Sequence, residues 1–232
     1  MSSLDTLVLL SGGLDSAVLA ASEARAGRVH PVYVSTGLAW EARERQMLAQ
    51  LLAAPPYAGA VAPLAELELD MRDVYPATHW AITGHPPAYD TPDEDVYLLG
   101  RNLTLLTKAG VIAASKRLNR IALGPLAGNP FPDARPAFFE AMRQALSLGL
   151  DREIAIVTPF SDLHKEDVIR LGATLGVPFE LTLSCMNPQE GEPPRHCGLC
   201  SKCRERRDAF AAAAVVDPTP YAAASPRMGL HG

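Results

Sequence analysis

Short uncharged apolar runs alternate with longer amphipathic ones along this chain, and that alternation predicts a strand–helix repeat. Residues 6–10 (TLVLL) are β-branched and leucine-rich, the pattern of a strand buried on both faces of a parallel sheet. Residues 17–26 read as the helix that follows. Residues 29–34 (VHPVYV) form a second strand, and 40–53 an amphipathic helix with its charges clustered early. A third short strand is placed around 61–64. Residues 75–95, rich in proline, threonine and acidic side chains, read as a long loop over the active face, either a lid or plain surface. Asn102 is expected to cap a helix running to about Leu118, with Gly110 tolerated inside it. A strand at 120–123, a helix at 136–149, a strand at 154–157 and a helix at 165–176 complete the series.

Such alternation implies right-handed crossovers and an α/β fold, a Rossmann-like parallel sheet with helices on both faces. Ligands bind such sheets at the carboxyl ends of the strands. Ser11, Ser35, Gly124 and Thr158 stand at those ends, so the loops after them should converge on one site. The expected organisation is an α/β domain over 1–180, a cysteine knuckle with a C-terminal helix over 181–215, and an extended or mobile tail over 216–232.

A chain of 232 residues suits one such domain with a small appendage. Its formal charge of −5 offers no global attraction for nucleic acid or acidic lipid, which leaves a small-molecule substrate as the expectation. No run approaches the length of a membrane span, and no basic start precedes a long apolar stretch. The reading is a cytoplasmic protein without a membrane partner.

The first candidate chemistry is Leu10-Ser11-Gly12-Gly13-Leu14-Asp15-Ser16, between the first strand and its helix. Gly12 and Gly13 can take positive φ and carry no Cβ to keep a phosphate from the backbone. Their N–H groups, with those opening the helix, would face an anion along the helix dipole. Ser11 and Ser16 add hydroxyl donors, and Asp15 is placed to hold Mg2+. No Gly-Lys-Ser/Thr ending and no GxGxxG are present, which argues against a P-loop kinase and a dinucleotide fold. The plainer alternative is a strand-to-helix turn that happens to contain glycines.

The second is the set Cys185, Cys197, Cys200 and Cys203, spaced C-x11-C-x2-C-x2-C. Four soft thiolates on two tight turns close a tetrahedral site with no open position, so a structural Zn2+ is expected. Gly198 would let the chain turn between ligands, and Arg204, Arg206 and Arg207 would offset the thiolate charge. An iron–sulfur cluster is the rival, although the Cys-Pro ending of ferredoxins is missing. His196 is read as a solvated neighbour rather than a fifth ligand.

The SGGLDS loop resembles the signature of N-type ATP pyrophosphatases, which adenylate a substrate oxygen and let a nucleophile displace AMP. Loop and knuckle together resemble the 7-cyano-7-deazaguanine synthase (ExsB/QueC-like) family of queuosine biosynthesis. The likeness runs from Leu7 to Phe210 and includes Gly100-Arg101-Asn102, Pro132-Asp133-x-Arg135 with Phe138, Thr158-Pro159-Phe160 with Lys165, Ser184-Cys185 and CGLCSKCRERRDAF. It implies an adenine nucleotide alpha hydrolase-like fold and an ATP-dependent conversion of the carboxylate of 7-carboxy-7-deazaguanine to a nitrile, with ammonia as nitrogen source. It further implies that Asp15, Arg101 and Lys165 serve pyrophosphate and magnesium, that Asp133 and Arg135 contact the 7-deazapurine, and that the protein is a homodimer. Two segments depart from the family. Tyr33 is followed by Val34-Ser35-Thr36-Gly37 in place of a Tyr-x-Gln-Arg/Lys-His run, and 124–134 is shorter than the family's Ser-Gly-Tyr-Pro-Asp-Cys stretch. A paralogue that passes the adenylated carboxylate to another nucleophile, such as a protein amine, is the alternative. A tRNA thiolase would need a basic surface that this chain lacks, and an ATP-binding or zinc scaffold would need no chemistry at all.

Overall fold

The computed structural model describes residues 4–224. Five strands, β1 (Thr6–Leu9), β2 (Val29–Ser35), β3 (Ala65–Glu68), β4 (Arg120–Ala122) and β5 (Ala155–Val157), form one parallel sheet in the order β3-β2-β1-β4-β5. The chain steps outward from β1 to β3, then returns to lay β4 on the other side of β1. Connections therefore leave β1 and β4 in opposite directions, which opens a crevice above their carboxyl ends.

Side chains of β1 alternate between two cores because successive Cβ atoms point to opposite faces. Leu7 and Leu9 join Val32 and Val34 against α4 (Arg101–Ser115) and α5 (Pro136–Gly149). Val8 and Leu10 pack on the other face against α1 (Leu14–Glu23), α2 (Glu41–Ala53), α6 (Lys165–Leu175) and α7 (Ser201–Ala213). Gly110 is more than tolerated: a Cβ there would lie 2.6 Å from Leu146, so its absence lets α4 and α5 approach. Among the described residues no helix is long and apolar enough to cross a membrane.

Several boundaries differ from the sequence expectation. The third strand is Ala65–Glu68 rather than 61–64, because Pro63 has no N–H for the ladder. It is an edge strand with Glu66 and Glu68 exposed, so its pattern is period-two rather than uniformly apolar. Helix α1 starts at Leu14, which puts Asp15 and Ser16 in its first turn. Asn102 is the second residue of α4, not its cap. The 75–95 segment is not plain loop: it holds the short helix α3 (Trp80–Thr83) and a 3-10 turn at Asp93–Val96. Tyr75, Ala81 and Val96 bury against the cysteine knuckle in a third core. The tail is also ordered where described, with Tyr221 bridging to His196 and Thr219 buried; 225–232 lie outside the described residues.

Candidate active site

The loop after β1 is tied down from three sides. Leu10 N–H extends the ladder to Val32 O at 2.9 Å, and Leu183 N–H donates to Gly12 O at 2.8 Å. Gly12 has φ +80°, a left-handed conformation that favours glycine, and packs over Leu48 of α2. Gly13 takes φ −67° and ψ 156°, an extended conformation, so the positive φ allowed to it is not used. Within the loop Ser16 Oγ donates to Gly13 O at 3.0 Å, Ser11 N–H to Ser16 Oγ at 3.3 Å, and Gly13 N–H to Ser11 Oγ at 3.2 Å. These donors cluster where α1 begins, with the positive end of its dipole behind them.

From the first turn of α1, Asp15 Oδ2 meets Lys165 Nζ at 2.6 Å, while Asp15 Oδ1 is buried with no hydrogen-bond partner among the described residues. An unpartnered buried carboxylate oxygen costs free energy unless something binds it, and a hard divalent cation fits it. Lys165 is the first residue of α6 and also faces Glu205 Oε1 at 3.2 Å. Burial works against its charge, but Asp15 and Glu205 outweigh burial and raise its pKa. Glu205 is likewise penalised by burial, yet Lys165 and Lys202 pull it down to about 2.

A cavity of about 630 Å3 opens over the carboxyl ends of β1, β2 and β4. Leu10, Ser11, Gly13, Leu14, Asp15 and Ser16 line one wall, with Lys165 beside them. Arg101 and Asp133 line it too, as does the 124–131 segment. Asp133 also caps α4, since its Oδ2 accepts from Asn102 N–H at 2.9 Å and its carbonyl from Asn102 Nδ2 at 2.8 Å. Arg101 makes no side-chain hydrogen bond among the described residues and is felt electrostatically by Glu44, Tyr33 and Asp133. Gly12 supports the loop from below rather than lining the cavity, and Arg135 is exposed at the start of α5, outside the wall.

Sequence reasoning missed part of this site. Glu44 is buried against the cavity, where Tyr33 Oη donates to its Oε2 at 2.9 Å. Burial pushes its pKa up to about 7, against the opposing influence of Arg101 and Tyr33. Glu41 accepts from Thr36 N–H at 2.7 Å and Ser35 Oγ at 2.5 Å, which fixes the departing segment after β2 onto α2. In sequence both look like the charged start of a solvated helix; only their i, i+3 spacing on one face hinted otherwise. Two stacked aromatic pairs, Trp40 with Trp80 at 5.7 Å and Tyr97 with Phe131 at 5.1 Å, add flat apolar wall.

The four cysteines lie beside this cavity, all buried, with their sulfurs within 4.8 Å of one another. Cys200 is 3.5 Å from Cys203, Cys197 3.8 Å from Cys203, and Cys185 4.0 Å from Cys200. Four sulfurs about 2.3 Å from one tetrahedral ion stand about 3.8 Å apart, so the set fits a single metal ion. A cluster, whose thiolates bind different irons, would hold them wider. Backbone N–H groups of Asn187 and Cys197 point at Cys185 Sγ, and that of Leu199 at Cys197 Sγ, which suits thiolate charge.

One expectation about the knuckle is corrected. His196 is not solvated: it is fully buried, its Nε2 accepts from Ser184 N–H at 3.1 Å, and burial lowers its pKa. No arginine hydrogen-bonds a cysteine sulfur among the described residues, while Cys203 favours the charge of Arg206 electrostatically. Arg206 is fully buried and donates to Thr219, Thr182, Ser184 and Phe179 O; Arg207 binds Gly198 O and Ala223 O; Arg204 binds Thr91 O. They fasten neighbouring segments to α7 because guanidinium forks suit several acceptors at once.

Residues 5–214 match the family model of the queuosine biosynthesis protein QueC. The 7-cyano-7-deazaguanine synthase of Methanoculleus marisnigri is 34% identical over 92% of this chain and 96% of its own length. That of Methanopyrus kandleri is 32% identical over 93% and 98%, and that of Koribacter versatilis 33% over 97% and 95%. With the loop at the switch point and four clustered thiols at the C-terminal end, the chain belongs to the QueC family of queuosine biosynthesis proteins.

Proposed function

We propose that this protein is a 7-cyano-7-deazaguanine synthase, which converts 7-carboxy-7-deazaguanine to the nitrile with ATP and ammonia through an adenylated carboxylate. The observation that carries the proposal is the Asp15–Lys165 pair at the foot of the SGGLDS loop, inside a cavity with aromatic walls. A carboxylate resists nucleophiles because oxide is a poor leaving group. Transfer of AMP to its oxygen supplies a good one, ammonia displaces AMP to give the amide, and a second adenylation followed by loss of AMP gives the nitrile.

The protein's share is positioning and charge stabilisation. The loop N–H groups and the amino end of α1 hold the departing pyrophosphate, and Lys165 offsets its charge. Arg101, its guanidinium free of hydrogen bonds among the described residues, supplies a second cation from the facing wall. Asp15 Oδ1 holds Mg2+, which screens the phosphates when bound. Asp133 shapes the deazapurine end of the cavity by fixing Asn102 at the start of α4. Arg135, outside the wall, is given no contact with substrate. The knuckle binds one structural Zn2+, since four thiolates leave no open position for chemistry.

Incubation with 7-carboxy-7-deazaguanine, ammonium and MgATP, followed by mass spectrometry, tests the reading. Nitrile and AMP are expected together, and Asp15→Ala should lower AMP release by about 100-fold or more. AMP without nitrile would transfer the activated carboxylate to another nucleophile; neither product would remove the proposal.

A further inference from the structure

The ion pairs beside the loop extend beyond the residues that the chemistry requires. Lys165 Nζ stands between two carboxylates, Asp15 Oδ2 at 2.6 Å and Glu205 Oε1 at 3.2 Å. The other Glu205 oxygen takes Lys202 Nζ at 2.6 Å, and Lys202 reaches Asp93 Oδ1 at 3.4 Å. Glu205 and Lys202 both belong to α7, whose first turn carries Cys203 and whose N-cap is Cys200. Two of the four clustered thiols thus set the end of the helix from which Glu205 reaches across to α6.

A lysine is a point charge on a flexible four-carbon stem, so one ion pair leaves its ammonium free to pivot. A second carboxylate fixes it. With Asp15 as sole partner, Lys165 could also settle over both oxygens of that carboxylate and close the one left open for a cation. Glu205 draws the ammonium aside, and its own second oxygen is held by Lys202 so that it cannot follow.

We propose that Glu205 is a positioning residue for Lys165, and that through it the cysteine knuckle sets the geometry of the pyrophosphate loop. The inference rests on the reading that this loop binds MgATP.

The test is a double-mutant cycle in the full chain, with Glu205→Gln, Lys165→Met and both together. MgATP affinity is read by calorimetry and AMP release by product assay. Glu205→Gln is expected to lower AMP release at least about tenfold and to weaken MgATP binding, with bound zinc unchanged. In the Lys165→Met background the same substitution should weaken binding no further, a signature that a merely structural role would not give. If Glu205→Gln loses its metal, Glu205→Asp, which keeps the charge and shortens the reach, takes its place in the cycle. Wild-type affinity and turnover after either substitution, or an equal further loss of binding without Lys165, overturns the inference. Should the wild-type protein release no AMP, the functional reading fails, while the binding cycle still decides the role of Glu205. Should wild type bind no MgATP, both fall.

Discussion

Glu44 shows how one side chain can tie stability to pH. Its carboxyl ionises near 4.5 in an unfolded chain and near 7 when buried beside Tyr33. Between those values the folded protein keeps a proton that the unfolded chain has lost, so stability falls as pH rises through this window and levels off above it. Glu44→Gln keeps an acceptor for Tyr33 Oη and removes the slope. The variant should be more stable than its parent at pH 8, by up to about 3 kcal/mol, and no different below pH 4. Urea melts at the two pH values measure this; an equal difference at both would contradict it. The residue scale also marks what sequence can carry. Ser11, Gly12, Asp15 and the cysteines were legible because their spacing along the chain reflects local backbone needs. Glu44, Glu41 and Glu205 were not, because burial of a charged helical residue is decided by what packs on it from elsewhere.

At the scale of elements, the start of α4 depends on a residue 31 positions away. A helix leaves its first N–H groups without partners, and here Gly100 at the cap position offers no side chain. Asp133 supplies the missing acceptor, so Asp133→Ala should cost about 1 kcal/mol while Asp133→Asn costs less. Thermal melts of the two variants check the order, and equal losses would deny the cap. Such a cap escapes any reading of the helix's own sequence, which is why Asn102 was expected there. Edge strand β3 escaped for another reason: Ala65 and Leu67 face in while Glu66 and Glu68 face out, so no apolar run announces it. The strands flanking the crevice, buried on both faces, were placed within a residue or two.

For the whole molecule, sheet and knuckle meet at the active cavity rather than lying side by side. The third core joins the cysteines to Trp40, Tyr75, Ala81 and Leu98, so the cysteine knuckle anchors the segment that roofs the cavity. Elemental analysis should find one zinc per chain. Stripping it with a chelator should expose 75–98 to limited proteolysis while strand content by circular dichroism stays near native; resistance of that segment after complete stripping would contradict the anchoring. On the function proposed above, the SGGLDS loop activates a carboxylate by adenylation. Turnover of substrate labelled with 18O in its carboxylate tests this most directly, read by mass spectrometry of the products. Adenylation places 18O in AMP and none in pyrophosphate; labelled pyrophosphate, or AMP without label, would exclude it.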